Sequence, residues 1–404
     1  MMLVLKTIAP WLVVVLGLVG LGLSLWIVLP APIFALLPLS VGMPEIGTGL
    51  AIVNAAILIL GWGVFNSVGW SRSHWWYLLL GTITFSLVLS LLPLLQFYPT
   101  HQQIERTMAR ELGDHYLDLV PPAAMAKMRS QPFNIVDTWR GIPLPPVRID
   151  RRIQFANPDN IPLKLNIYRP IVVGKYPTLV SIYGGAWQRG QPDDDEKFNR
   201  YIASQGYVVW AIDYRHAPAY RFPVQLEDVR TALAFIQQHP AAAEADFQRL
   251  AIMGRSAGSQ LAMLAAFVDP IVPVRAIIGY YGPVNLKAGY YDVPVPDPIE
   301  TRSTLETYLG GNPQQLPELY DRASPINAVR DNLPPSLLIY GKKDCIVPAK
   351  FGKKLADRLR STGNKTIFIE IPWADHAFDA VFSGISNQLA IYHTERFLDR
   401  TLKD

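Results

Sequence analysis

Ser256 stands at the centre of Gly254-Arg255-Ser256-Ala257-Gly258, directly after the apolar run 250–253 and before the helix-prone stretch 260–266. A strand, a sharp Gly-x-Ser-x-Gly turn and a helix, in that order, lift a serine hydroxyl above a sheet edge, where it can attack a carbonyl carbon. The small residues two before and two after the serine follow from the same geometry, because so tight a turn leaves no room for side chains there. In a chain with 28 glycines the pentapeptide alone carries little weight. Three further matches, each placed after a strand pattern, give it weight.

The first is Gly184-Gly185-Ala186-Trp187, which follows the buried-strand pattern 178–183. Small residues after a strand let backbone N–H groups converge, and the amides of Gly185 and Ala186, with that of Ala257, would hold a developing oxyanion. A plain structural turn is the alternative for this loop. The second match is a base, since a neutral hydroxyl is a poor nucleophile until its proton is taken. Of seven histidines, His376 is the one that follows the last strand pattern, in Pro372-Trp373-Ala374-Asp375-His376-Ala377-Phe378. The third is a carboxylate to orient the imidazole. Asp344, after the strand pattern 336–340, supplies it; Asp375 competes, but a side chain adjacent to the histidine rarely reaches the far ring nitrogen.

These residues need a sheet to carry them. After Asp150, short β-branched or aromatic runs alternate with helical patterns. Strands are expected at 152–155, 163–168, 178–183, 208–213, 250–254, 275–281, 336–340 and 366–371, and helices at 198–205, 224–238, 256–267, 349–361 and 384–398. Such alternation implies an α/β domain with a mostly parallel central sheet and active residues at the carboxyl ends of strands. The acidic stretch Asp193-Asp194-Asp195-Glu196 reads as a solvated loop face rather than a metal site.

The amino-terminal quarter is a different material. The first 104 residues carry three charged side chains, Lys6, Glu45 and Arg72, against 67 in the remainder. Apolar runs at 8–29, 46–70 and 75–98 each cover the roughly 20 residues a bilayer-spanning helix needs, so an all-α transmembrane region of about three helices is expected within residues 1–100. Pro30, Pro32 and Pro38 end the first run, so 31–41 makes no fourth span. Lys6 before an apolar run also fits a cleaved leader, but two further runs and no Ala-x-Ala site favour an uncleaved anchor. Lys6 and Arg72 on one side and Glu45 on the other put the amino terminus in the cytosol and the large domain on the non-cytoplasmic side, while Arg106 and Arg110 argue the other way.

Between anchor and domain, residues 101–149 carry an amphipathic stripe (Ile104, Met108, Leu112, Leu117) and then a Pro-rich linker; the stripe either lies on the bilayer or caps the domain. A net charge of +4 without a basic block excludes a nucleic-acid partner, and the single Cys345 forbids an intrachain disulfide.

With these residues in place, positions 150–404 resemble a serine esterase of the hormone-sensitive-lipase and arylacetamide-deacetylase type within the α/β-hydrolase superfamily. The chain order Ser256, Asp344, His376 fits. Asp213-Tyr214-Arg215-His216-Ala217-Pro218, Arg221-Phe222-Pro223 and Glu227-Asp228-Val229 are similar to a family signature shaping the site, with Asp213 and Asp228 structural. The departure is Tyr183-Gly184-Gly185-Ala186 where the family has His-Gly-Gly-Gly; the closer His-Gly-Gly-Ala-Trp variants belong to formamidases and prenylcysteine methylesterases. The apolar runs and the resemblance together imply a membrane-anchored hydrolase of lipophilic or short-to-medium acyl esters, with no metal or organic cofactor and the lipid bilayer as its partner. A peptidase or amidase on the same fold, and a non-catalytic binding protein retaining the geometry, are the alternatives.

Overall fold

The computed structural model describes residues 2–67, 74–239 and 244–402, and of residues 2–7 only the backbone. Arg72 and the Lys6 side chain, used above to orient the anchor, lie outside the described residues, as do positions 68–70 of the second apolar run.

All eight expected strands form, as β1 (Arg148–Ala156), β2 (Leu163–Arg169), β3 (Tyr176–Ile182), β4 (Val208–Ile212), β5 (Ala245–Arg255), β6 (Ala276–Tyr280), β7 (Ser336–Gly341) and β8 (Thr366–Ile371). They make one sheet in the order β1-β2-β4-β3-β5-β6-β7-β8. The pairs β1–β2 and β2–β4 are antiparallel, and every pair from β4–β3 to β7–β8 is parallel. Strands β4, β6 and β7 are buried at every residue, as expected for parallel strands covered on both faces, which read as continuous apolar runs rather than alternating ones. The covering helices include Val224–Gln238, Ala257–Phe267, Ala349–Ser361 and Ile385–Leu402. Between β6 and β7 three helices were not expected, Leu286–Tyr291, Thr301–Leu309 and Pro317–Arg322; at six, nine and six residues they are too short to display an apolar period.

Three amino-terminal helices are long and apolar enough to cross a membrane: α1 (Met2–Leu25), α3 (Gly47–Ser67) and α4 (His74–Leu112), with the nine-residue α2 (Leu37–Glu45) between the first two. They pack closely where side chains are small. An added Cβ at Gly17 or Gly61 would lie 3.0 or 3.1 Å from Ile83 or Val13. Between the helices, the Asn54 amide donates to Ser24 Oγ (3.0 Å) and Ser90 Oγ (2.9 Å), polar contacts of the kind that join helices in an apolar medium. Ile52, Ile59, Leu60 and Leu95 face outward.

The structure corrects one boundary. The stripe Ile104, Met108 and Leu112 does not begin a separate juxtamembrane helix; it is the last three turns of α4, which runs unbroken through Pro93 and Pro99. The reason is burial: those three side chains enter the main core of the sheet domain beside β8. The apolar stripe is therefore packed into the sheet domain, and none of the three lines the cavity described next.

Candidate active site

Ser256 occupies the turn between β5 and the helix Ala257–Phe267 with φ 48° and ψ −121°, a strained conformation for a residue bearing a side chain. The surrounding glycines are what make it possible. A Cβ on Gly254 would stand 2.1 Å from the Gly258 carbonyl oxygen, and one on Gly258 would stand 2.3 Å from the carbonyl oxygens of Ile182 and Tyr183.

The four sequence-derived elements meet at the carboxyl ends of β3, β5, β7 and β8. His376 Nε2 lies 3.0 Å from Ser256 Oγ, and His376 Nδ1 lies 2.8 Å from Asp344 Oδ2. A carboxylate only accepts, so Nδ1 carries the proton and Nε2 is free to take one from the serine. Asp344 is itself fixed, its other oxygen accepting from the amides of Ile346 (2.8 Å) and Val347 (2.7 Å). Asp375 does not face the ring; its carboxylate accepts from the His376 amide (2.7 Å) and from the Ser40 hydroxyl. Burial works to lower the His376 pKa, but the charge and hydrogen bond of Asp344, with Asp375 and Asp379 beyond, raise it above its ordinary value. Tyr281 packs against the imidazole, ring centroids 4.6 Å apart.

Gly185 (φ +113°) and Ala186 (φ +55°) turn the loop after β3, and both line the same cavity as Ser256, Ala257 and His376. A Cβ at Gly185 would lie 2.0 Å from the Arg189 carbonyl oxygen, so the loop is glycine-dependent there. Tyr183, the residue that departs from the family pattern, braces the loop: its hydroxyl donates to Asp213 (2.6 Å), and His216 Nε2 lies 2.9 Å away. Asp228 accepts from the Arg215 guanidinium through both oxygens (2.9 and 2.7 Å) and from the Arg215 amide (2.9 Å). Asp213 and Asp228 thus hold the loops in shape and stand outside the Ser256–His376–Asp344 chain.

Several residues at the site were not foreseen. The acidic stretch is a solvated face only in part: Asp195 pairs with buried Arg255 (3.1 Å), whereas Asp194 is exposed and Asp193 and Glu196 pair with Arg151 at the surface (2.7 and 2.9 Å). Arg255 also donates to Asp379 (2.5 Å), so the residue beside the serine is a buried cation held by two carboxylates. The larger surprise is the connection between α1 and α3. Lys343 Nζ donates to the carbonyls of Trp26 (2.7 Å), Ile27 (3.2 Å) and Ser40 (3.1 Å). Buried Glu45 accepts from the Ser386 amide (2.8 Å), and burial pushes its carboxyl up to about 8. Ser40 and Glu45 are the two polar side chains between Trp26 and Ile46, and that isolation was the available signal. The cavity above Ser256 measures about 1110 Å³ and takes one wall from Phe34, Leu37, Pro38 and Val41.

Away from the serine, His101, Glu105 and His393 bring donor atoms within 4.8 Å of one another. Burial, His101 and Arg396 lower the His393 pKa well below its ordinary value. A neutral histidine pair, 3.3 Å between ring nitrogens, therefore joins α4 to the last helix; the nearby guanidinium disfavours a further cation.

A mostly parallel sheet with a serine at a strained strand-to-helix turn, a histidine after the last strand and an aspartate after the preceding one is the arrangement of an α/β-hydrolase-like fold. Residues 165–359 match the family model BD-FAE. The chain is 32% identical over 218 residues to "Esterase LipC" of Mycobacterium tuberculosis, covering 50% of this chain and 53% of that protein. It is 25% identical over 221 residues to "Probable isoprenylcysteine alpha-carbonyl methylesterase ICMEL1" of Arabidopsis thaliana, covering 50% and 46%. The chain spans about half the length of the curated relatives it matches. Among solved structures, "Bacterial Heroin Esterase" aligns with a TM-score of 0.57 at 22% identity over 70% of this chain and 98% of that one. The "Pyrobaculum calidifontis esterase" gives 0.55 at 22% over 69% and 98%. These two establish the fold.

Proposed function

We propose that this chain is a membrane-anchored carboxylic-ester hydrolase acting through an acyl-enzyme on Ser256. The observation that carries the reading is the hydrogen-bonded chain Ser256–His376–Asp344 in its strand-end setting. Ser256 Oγ attacks the ester carbonyl carbon while its proton passes to His376 Nε2. The amides of Gly185, Ala186 and Ala257 hold the oxyanion, and Asp344 stabilises the imidazolium. Collapse breaks the bond to the alcohol oxygen, which leaves with the proton from His376. Water then gives a proton to His376 as its oxygen attacks the acyl carbon; the carboxylic acid departs and Ser256 regains its proton. The relatives' printed names, esterase and carboxylic ester hydrolase, support the ester over the amide.

The anchor reading rests on three helices of sufficient length and apolarity. With an odd number of spans, the amino terminus and the domain lie on opposite faces, the domain on the non-cytoplasmic one. Labelling of isolated membranes with a fluorophosphonate, comparing the native chain with Ser256→Ala, tests the activity: the native chain should label and the variant should not. A folded native chain that neither labels nor cleaves esters would overturn the proposal.

A further inference from the structure

We infer that the Ser256 site draws its ester from the bilayer: a membrane-resident amphiphilic carboxylic ester whose acyl chain reaches the serine along the connection between α1 and α3. This rests on the ester-hydrolase reading above and adds the substrate class and its route.

The helix lengths set the level of the site. The 21 residues of α3 rise about 31 Å, close to the roughly 30 Å of a bilayer's hydrocarbon core. The connection from Trp26 to Ile46 therefore lies at one edge of that layer, and α4 returns to the same edge before its final turns enter the sheet domain. Lys343 and Ser40 then fix the connection against the loops that carry Asp344 and His376. Cavity and bilayer edge are brought to one level by direct contact.

Phe34 is where the two surfaces meet. It lines the cavity and is also 50% exposed, and on the same connection Leu29 and Ile33 are 47% and 55% exposed. Leu37, Pro38 and Val41 continue the apolar wall inward from Phe34. Pro294 also lines the cavity, and its neighbour Val295 is 96% exposed. Water would penalise two such apolar lips, whereas lipid would not. The volume of about 1110 Å³ exceeds the roughly 300–1,000 Å³ of ordinary ligand pockets. Each further methylene buried against the wall improves binding by about fourfold.

The test uses the full chain in phosphatidylcholine vesicles with p-nitrophenyl decanoate, which partitions into lipid, and p-nitrophenyl acetate, which does not. At constant total decanoate, adding lipid lowers the ester's mole fraction in the bilayer. Turnover should fall in proportion, whereas acetate turnover should not respond; decanoate turnover indifferent to added lipid would overturn the route. Leu37→Gln and Val41→Gln should lower kcat/KM for decanoate by about tenfold more than for acetate, with fluorophosphonate labelling of Ser256 still going to completion to show that the serine remains assembled. An unchanged ratio in labelling-competent variants would also overturn it. Acetate turnover with no decanoate turnover would refute the substrate class while leaving the hydrolase intact; loss of both with no labelling would remove the hydrolase reading as well.

Discussion

Lys343 holds the end of the first apolar helix: its ammonium donates to the Trp26 carbonyl at 2.7 Å, and the next residue in the chain is Asp344. The carboxylate behind His376 is therefore carried on a loop whose neighbouring side chain is spent on the amino-terminal helices.

Replacing that lysine should uncouple the two parts. Lys343→Met leaves the Trp26, Ile27 and Ser40 carbonyls without their shared donor, a loss of about 1–3 kcal/mol. The expected outcome is a lower unfolding temperature of the solubilised protein and a kcat that falls more than KM changes, because the loop is loosened while the cavity wall survives. An unaltered kcat would show that the tie serves stability alone.

In the proposed mechanism His376 takes a proton only when neutral, and the pH dependence follows from that. Its folded value lies above the ordinary 6.5, so kcat/KM should rise with pH and reach half its plateau above that value. Asp344→Asn removes the charge that raises it and leaves the wrong tautomer, so the midpoint should move down and kcat should fall by about 10⁴. A midpoint below 6.5 in the native chain would contradict the electrostatics described here.

Glu45 gives a stability prediction of definite sign. Its carboxyl titrates near 8 in the folded chain against an ordinary 4.5, so between those values the folded state binds more protons than the unfolded one. The stabilisation is complete below about pH 4.5 and is lost as pH rises through about 8. Thermal unfolding of the native chain should show this decline between about pH 5 and pH 8, and Glu45→Gln should flatten it.

Gly258→Ala should be costly for a steric reason. The added methyl would stand 2.3 Å from two backbone oxygens at the end of β3, and neither can move without displacing the loop that bears Gly185 and Ala186. A destabilisation of about 1–3 kcal/mol with slower fluorophosphonate labelling is expected, measured by chemical denaturation and by the labelling rate.

Legibility in the sequence tracked the range of the physics involved. The eight strands and the residues at their ends could be read because short apolar runs and small-residue turns are local patterns. The contact of Tyr183 with Asp213 was not readable, although the tyrosine was noticed, because it joins two strand ends 30 residues apart. The cavity wall at Phe34, Leu37, Pro38 and Val41 escaped for a different reason: a proline-interrupted apolar stretch beside a transmembrane pattern looks like its fraying end. The helix α4 was cut short at residue 98 because its composition changes there from apolar to charged, while the backbone pattern does not.

That unbroken α4 acts as a shaft. Its 39 residues extend about 58 Å, nearly twice a hydrocarbon core, and its far end is keyed into the sheet domain by Ile104, Met108 and Leu112. The rotational phase of those three side chains about the helix axis sets which way the domain faces relative to the bundle. One residue inserted between the apolar part and the keyed part would turn that face by about 100°, swinging the mouth of the cavity away from α2. The length of the chain at this point is thus a gearing constraint, invisible in composition, on where the serine points.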